Sequence, residues 1–250
     1  MQKVTITIAA LLCIITVSLS NIGCQKNITS TMLDTVVIPP IMQMPTPVLI
    51  AANKSYLALG DSYTIGQSVD SSERFPAQTA AFLKTQGINI IPLQYIATTG
   101  WTTTNLANAI ATVHPKGPFD IVTLLIGVND QYQNRNINDY GGRFKELLYS
   151  AIQLADYKPN HVFVLSIPDY GVTPFGGNNP TISQQIDAYN AINKQVTLEI
   201  TGVNYLDITP LSRLASTDRT LIAIDGLHPS GKLYKLWANQ LAPQIIAALK

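Results

Sequence analysis

Three polar residues in this sequence are of the types that together activate a serine for attack on a carbonyl. Ser62 follows a short apolar run, and Asp225 and His228 lie three positions apart near the C-terminus. A serine hydroxyl is a poor nucleophile until an imidazole takes its proton, and a carboxylate must hold that imidazole in the right tautomer. The three-residue spacing lets the Asp225 carboxylate and the His228 imidazole meet within one turn of chain. The set therefore indicates acyl transfer.

The other two histidines are poorer candidates for a general base. His161 opens a predicted strand and His114 lies in a loop that feeds one, so both are expected at the amino edge of the sheet. Ser62 and His228 each have a structural interpretation as well. A serine at a strand-to-helix turn commonly caps the helix, and a histidine before a proline is commonly a surface loop residue. Only their combination with Asp225 favours catalysis.

These residues need a scaffold, and from residue 54 onward apolar runs alternate with segments of helical periodicity. The predicted strands cover residues 56–59, 88–96, 119–126, 161–167 and 203–208. The predicted helices cover 75–86, 105–113, 139–155, 182–200 and 231–249, the last capped by Ser230. This alternation predicts an α/β fold with three layers, α/β/α, around a central parallel sheet of about five strands.

Polar or glycine-rich turns follow four of the predicted strands. They are Gly60-Asp61-Ser62, Thr98-Thr99-Gly100, Gly127-Val128-Asn129-Asp130 and Pro168-Asp169-Tyr170. In a parallel sheet of this kind, ligands bind beyond the carboxyl ends of the strands. We therefore expect all four turns to share one edge of the sheet and to form one site there.

Composition and motifs exclude several other functions. The chain has 250 residues, is 12% charged and carries a formal net charge of +1, so the basic stripe expected of a nucleic-acid partner is missing. There is no Gly-x-Ser-x-Gly elbow around Ser62, no glycine-rich phosphate loop, and no His-Glu-x-x-His zinc motif. We predict no cofactor and no metal. A flavodoxin-like cofactor binder would fit the sheet but would need a phosphate loop.

The order of these motifs resembles the GDSL (SGNH) hydrolase family. The resemblance covers the chain from about Tyr56 to the last helix, and it rests on Gly60-Asp61-Ser62, Gly100, Gly127-Val128-Asn129-Asp130 and Asp225-Gly226-Leu227-His228. It implies the flavodoxin-like SGNH hydrolase fold and a serine esterase. Gly-Asp-Ser alone is common by chance, so the resemblance depends mainly on the blocks at 127–130 and 225–228, which follow it in the order that the family shows.

The resemblance assigns a role to each matching position. Ser62 is implied as nucleophile, His228 as general base and then acid, and Asp225 as its orienting carboxylate. The oxyanion hole is implied to consist of the backbone N–H groups of Ser62 and Gly100 and the side-chain amide of Asn129, since a tetrahedral oxyanion needs several such donors. The acids in the Gly-Asp-Ser and Asn-Asp pairs, at positions 61 and 130, are interpreted as structural.

Two aromatic residues are candidates for the substrate pocket. Trp101 follows Gly100, where many members of the family have a small residue, and it either lines the pocket or packs under the loop. Tyr170 belongs to the rim loop 169–176. The substrate remains open between lysophospholipid-like or short-acyl carboxylic esters and O-acetylated carbohydrates, that is, a small-molecule, lipid or glycan ester. A non-catalytic ligand-binding lipoprotein on the same fold is the alternative from another functional class.

The N-terminal residues have the pattern of a targeting segment. Residues 1–23 carry Lys3 and then the apolar run from Ile6 to Leu19, which is too short for a comfortable membrane span. The Gly23-Cys24 junction resembles a bacterial lipoprotein signal, which implies a lipid on Cys24. Ordinary signal cleavage, leaving Cys24 as a free thiol, is the alternative.

The domain organisation predicted from these features has three parts. Residues 1–23 are a lipoprotein-type signal peptide, residues 24–53 a proline-containing tether, and residues 54–250 a single SGNH hydrolase domain. We therefore expect an exported protein of the bacterial cell envelope, held to a membrane by its N-terminal lipid anchor.

Overall fold

A computed structural model describes residues 53–250, in which five parallel strands form one sheet. The strands are β1 (Lys54–Gly60), β2 (Ile90–Ala97), β3 (Ile121–Leu125), β4 (Val162–Leu165) and β5 (Asn204–Leu206). Their spatial order is β2-β1-β3-β4-β5, the flavodoxin-like order in which a ligand site is expected where the winding direction reverses, beside β1 and β3. The fold class predicted from the sequence is confirmed.

The central strands are buried on both faces because they are almost entirely apolar. Every residue of β3 and β4 is buried, as is the carboxyl half of β1. Strands without polar alternation are typical of parallel sheets covered by helices on both sides. One polar pair is accommodated inside the sheet, where the Tyr56 hydroxyl lies 3.2 Å from the Thr123 hydroxyl.

The helices form the two outer layers. They are α1 (Ser62–Ile65), α2 (Phe75–Thr85), α3 (Thr103–Val113), α4 (Val128–Tyr132), α5 (Tyr140–Leu154), α6 (Pro180–Leu198), α7 (Thr209–Arg213) and α8 (Gly231–Ala248). Helix α2 packs against α8, and α5 packs against both α3 and α6. None of the helices in residues 53–250 combines the length and the apolar character needed to cross a bilayer.

The last helix, α8, begins at the predicted cap residue Ser230 and packs against the hydrophobic core. The Ser230 hydroxyl accepts the N–H of Leu233 and donates to the carbonyl of Thr220, which fixes the chain directly after His228. Trp237 is fully buried and packs at 6.1 Å from the Phe75 ring. The start of α8 is therefore rigid at the point where it follows the candidate base.

The structure departs from the sequence expectations mainly at strand ends. Strand β4 is shorter than predicted because the N–H of Ile167 donates to the Asn190 side chain at 2.8 Å and so leaves the sheet ladder. Strand β5 is also shorter, since the N–H of Ile208 donates to the Ser166 hydroxyl at 2.8 Å. The short helices α1, α4 and α7 were not predicted, since four or five residues are too few to show helical periodicity. The predicted signal peptide, Cys24 and the tether up to residue 52 lie outside the described residues, so these divisions remain predictions.

Candidate active site

The candidate nucleophile lies at the first residue of α1, directly beyond the carboxyl end of β1. Asp61 occupies the cap position, and its side-chain Oδ1 accepts the N–H of Tyr63 at 3.0 Å. The capping role that a serine could fill at this turn is therefore taken by Asp61, as predicted for a structural acid, and the hydroxyl of Ser62 is left for another partner. Burial raises the pKa of Asp61 to about 8.

Ser62, His228 and Asp225 are brought together as the sequence predicted. The Ser62 Oγ lies 2.9 Å from His228 Nε2, and His228 Nδ1 lies 2.6 Å from Asp225 Oδ2. Ser62 and His228 are both buried, at 4% and 6% exposure, and the Tyr63 ring packs 5.1 Å from the imidazole. Serine and imidazole are thus within hydrogen-bond reach across 166 residues of chain.

The Asp225 carboxylate is held in a tight turn that also fixes the histidine. Its Oδ1 accepts the N–H groups of Leu227 and His228, both at 2.9 Å. Burial acts to raise the pKa of Asp225, but hydrogen bonds from Ser68, from His228 and from these backbone groups outweigh it, and the pKa falls to about 2.

An ionised carboxylate only accepts hydrogen bonds. The Nδ1 of His228 must therefore carry the proton toward Asp225, and the lone pair of Nε2 faces the serine. An imidazole in this tautomer can take the hydroxyl proton of Ser62.

The two other residues predicted for the oxyanion hole line the same cavity as the serine. Gly100 is the third residue of a turn closed by the Trp101 N–H on the Thr98 carbonyl, and its φ of +83° is the left-handed value that favours glycine there. Its own N–H has no acceptor among residues 53–250. The Asn129 amide donates one N–H to the Trp101 carbonyl at 3.0 Å, which orients the amide and leaves its second N–H available.

Two residues beside Asn129 hold its turn in place. Gly127 has a φ of +127°, and a Cβ there would collide with the hydroxyl of Tyr140. Asp130 is fully buried and accepts both the N–H and the hydroxyl of Thr103, at 2.8 and 2.7 Å. The predicted structural role of Asp130 agrees with these contacts, because it ties the turn after β3 to the start of α3.

The cavity beside the serine has a volume of about 240 Å³ and is lined largely by apolar groups. Ser62, Gly100, Asn129 and Tyr170 all contribute to it, so the four turns predicted to share one edge of the sheet do so. The remaining lining residues are Tyr63, Thr99, Val128, Tyr132, Phe175, Leu227 and His228. None of the residues around this cavity is Lys, Arg, Asp or Glu.

Of the two predicted pocket aromatics, only Tyr170 lines the cavity. The prediction for Trp101 is corrected: its side chain packs against the hydrophobic core, and its contribution to the site is the carbonyl that orients Asn129. The tight turn at Gly100 points the next side chain away from the cavity. This was the second of the two interpretations that the sequence left open.

Three aromatic side chains form a group at the mouth of the cavity, and the sequence predicted only Tyr170 among them. The Tyr132, Tyr170 and Phe175 rings lie 6.1 to 6.3 Å from one another, and both Tyr132 and Phe175 are 53% exposed. Tyr132 follows Asn129 by three residues on α4, and residues at this spacing lie on the same face of a helix. The spacing predicts that Tyr132 lies beside Asn129 only if the segment is known to be helical. His114 and His161 do not line the cavity.

The sequence matches a protein-family model, that of the GDSL-like lipase/acylhydrolase family, over residues 58–236. This span holds the Ser62 turn, the Asn129 turn and the Asp225–His228 pair. The chain belongs to the GDSL-like lipase/acylhydrolase family. It is a carboxylic ester hydrolase, and no curated protein matches its sequence.

Solved structures of the same architecture support the fold. The esterase EstA from Pseudoalteromonas sp. superposes with a TM-score of 0.60 at 16% identity, over 79% of this chain and 99% of that one. An acetylxylan esterase from Geobacillus stearothermophilus gives 0.58 at 18% identity, over 78% and 95%. A lipase/acylhydrolase from Enterococcus faecalis gives 0.59 at 20% identity, over 79% and 97%. At these identities the similarity establishes the fold alone.

Proposed function

We propose that this family member hydrolyses neutral carboxylic esters through an acyl-serine intermediate on Ser62. The observation that carries the proposal is the unbroken contact from Ser62 Oγ to His228 Nε2 at 2.9 Å and from His228 Nδ1 to Asp225 Oδ2 at 2.6 Å. A nucleophile, its base and the group that orients the base are the three parts that this mechanism needs.

The residues divide the reaction into two half-reactions. In the first, Ser62 Oγ attacks the ester carbonyl while His228 Nε2 takes the hydroxyl proton, and the negative oxygen binds the N–H groups of Ser62, Gly100 and Asn129. The C–O bond to the alcohol then breaks, and His228 returns the proton to the leaving oxygen. In the second, water attacks the acyl-serine by the same proton transfers, which releases the acid and restores the Ser62 hydroxyl.

The cavity favours a short apolar acyl group. Its volume of about 240 Å³ lies below the ~300–1,000 Å³ of pockets that enclose drug-sized ligands. Its lining offers apolar surface from Val128, Leu227 and the aromatic rings, and no cationic side chain to pair with a phosphate. A short-acyl carboxylesterase therefore fits better than a lysophospholipase-like enzyme.

Hydrolysis of O-acetyl groups on carbohydrates is the second candidate, and one specific observation favours it. Tyr132 and Phe175 line the cavity and expose about half of their surface at its mouth. Flat aromatic faces at such a rim can stack against sugar rings, while the small cavity accepts an acetyl group. In this case the sugar binds the rim and the acetyl group binds the cavity.

A panel of p-nitrophenyl esters from acetate to decanoate, together with acetylated xylan, tests both candidates. We expect a maximum at acetate or butyrate for the esterase, and preferential release of acetate from xylan for the carbohydrate enzyme. Ser62→Ala should abolish turnover of every active substrate. Ser216→Ala, which removes an exposed hydroxyl that donates to the Arg213 carbonyl, should retain it. Turnover by Ser62→Ala at the wild-type rate would rule out the mechanism.

The location of the enzyme is a separate proposal, which rests on the sequence. We infer that residues 1–23 direct export and that Cys24 carries a lipid, so that the hydrolase domain lies at the surface of a membrane. Labelling of cells with radioactive palmitate should mark the wild-type protein and leave the Cys24→Ala variant unmarked. Equal labelling of both proteins, or of neither, would contradict the anchor.

A further inference from the structure

Ser68 is a surface residue that the acyl-transfer mechanism does not use. It lies in the loop that leaves α1, and its φ of +66° places it in the left-handed region, which a non-glycine residue seldom adopts. Its hydroxyl donates a hydrogen bond of 2.7 Å to Asp225 Oδ2, across 157 residues of chain. An unfavourable backbone conformation is thus maintained where the side chain reaches the acid of the triad.

The contacts of Asp225 come from two directions. Oδ1 binds the N–H groups of Leu227 and His228, and Oδ2 binds the His228 imidazole. All three of these donors belong to the same short turn as the carboxylate and would move with it. Among residues 53–250, Ser68 is the one donor to this carboxylate from outside the turn, and it binds the same oxygen as the imidazole.

The residue before Ser68 connects the same loop to the nucleophile and to the oxyanion turn. The N–H of Gln67 donates to the Ser62 carbonyl at 3.0 Å, and its Oε1 accepts the Thr99 hydroxyl at 2.7 Å, one residue before Gly100. Loop 66–70 therefore contacts the nucleophile helix, the oxyanion turn and the acid. A displacement of this loop would disturb all three at once.

We propose that Ser68 is a positioning residue that fixes the Asp225 carboxylate relative to the Ser62 helix and so keeps the His228 imidazole aimed at the serine. The proposal rests on the proposed acyl-serine mechanism. The hydroxyl touches no reacting atom, so its effect is on the rate of the chemical steps and not on the binding of the ester.

Ser68→Gly is the sharpest test, because glycine accepts a φ of +66° without strain and only the hydroxymethyl group is lost. With a short-acyl p-nitrophenyl ester we expect kcat to fall about tenfold and KM to stay within about twofold of wild type. Ser68→Asn should recover most of the rate, since asparagine tolerates the left-handed region and carries an N–H donor.

Asp156→Gly is the matched control. Asp156 has a similar left-handed φ of +60° in the turn between α5 and β4, at the amino end of the strands and away from the candidate site. Asp156→Gly should leave kcat unchanged.

A proton NMR spectrum gives a readout that is independent of turnover. The hydrogen-bonded Nδ1 proton between His228 and Asp225 should give a far-downfield resonance, which Ser68→Gly should broaden or shift upfield and Ser68→Asn should restore. Wild-type kcat together with an unchanged resonance in Ser68→Gly would overturn the proposal. A fall in kcat that parallels a fall in melting temperature, and that Ser68→Asn does not recover, would also overturn the proposal.

The two proposals fail in different ways. An active Ser62→Ala variant would refute the mechanism itself. An inactive Ser62→Ala variant, combined with a Ser68→Gly variant that has wild-type kcat and an unchanged Nδ1 resonance, would refute only the positioning role of Ser68.

Discussion

The two oxygens of Asp225 have different partners, and this difference predicts the effect of Asp225→Asn. Oδ1 accepts two backbone N–H groups at 2.9 Å, whereas Oδ2 faces His228 Nδ1 at 2.6 Å. The carbonyl oxygen of an asparagine must stay with the two backbone donors, because its NH₂ group cannot accept them. The NH₂ group would then face Nδ1 and force the proton of His228 onto Nε2, so that the imidazole could no longer accept the proton of Ser62.

A wrong tautomer with intact geometry costs about 10⁴-fold in kcat in a serine triad, or about 5.4 kcal/mol of activation free energy. We therefore expect kcat for a short-acyl p-nitrophenyl ester to fall by about that factor in Asp225→Asn, with a melting temperature near that of wild type. Asp225→Ala should be less impaired, because the imidazole is then free to adopt either tautomer. An Asp225→Asn variant within tenfold of wild type, or one faster than Asp225→Ala, would refute this account of the carboxylate.

Three further predictions concern the supporting residues. Burial raises the pKa of Asp61 from 3.8 to about 8. Between these values the folded protein keeps a proton that the unfolded chain releases. The free energy of unfolding should therefore fall as the pH rises from about 4 to 8. Asp61→Asn should flatten that decline in urea unfolding curves recorded across this range, and an unchanged slope would contradict it. Asn129→Ala should lower kcat about 10²–10³-fold, as expected for the loss of one oxyanion donor, while circular dichroism stays native; a loss of less than threefold would exclude the amide from the oxyanion hole. If the rim binds sugar, Phe175→Ala should raise the KM for acetylated xylan several-fold and leave the KM for p-nitrophenyl acetate nearly unchanged. An equal change in both KM values would exclude the carbohydrate candidate.

The parts of the molecule that follow local rules were predictable from the sequence. Strand β3 is a nearly continuous apolar run followed by Gly127, and such a run in a chain of alternating helices has few other interpretations. The Asp225–His228 pair was recognisable because its partners are three residues apart. The shared edge of Ser62, Gly100 and Asn129 followed from the rule that the carboxyl ends of parallel strands meet.

The parts that depend on the packing of loops were not predictable. The contact of Ser68 with Asp225 spans 157 residues, and no local pattern marks it. The direction of Trp101 is set by the turn at Gly100, whose conformation is a property of the folded backbone. Tyr132 joins the rim only because α4 exists, and a helix of five residues leaves no periodic signal.

Covalent trapping identifies the nucleophile of this enzyme without depending on turnover. A p-nitrophenyl alkylphosphonate should react once per chain and leave a stable phosphonate ester on the attacking oxygen. Trypsin releases that residue in the peptide 55–74, which contains five serines, so the peptide must be fragmented to locate the added mass. We expect the label on Ser62 alone and no label on Ser62→Ala. A label on another residue of an active enzyme would show that Ser62 is not the nucleophile.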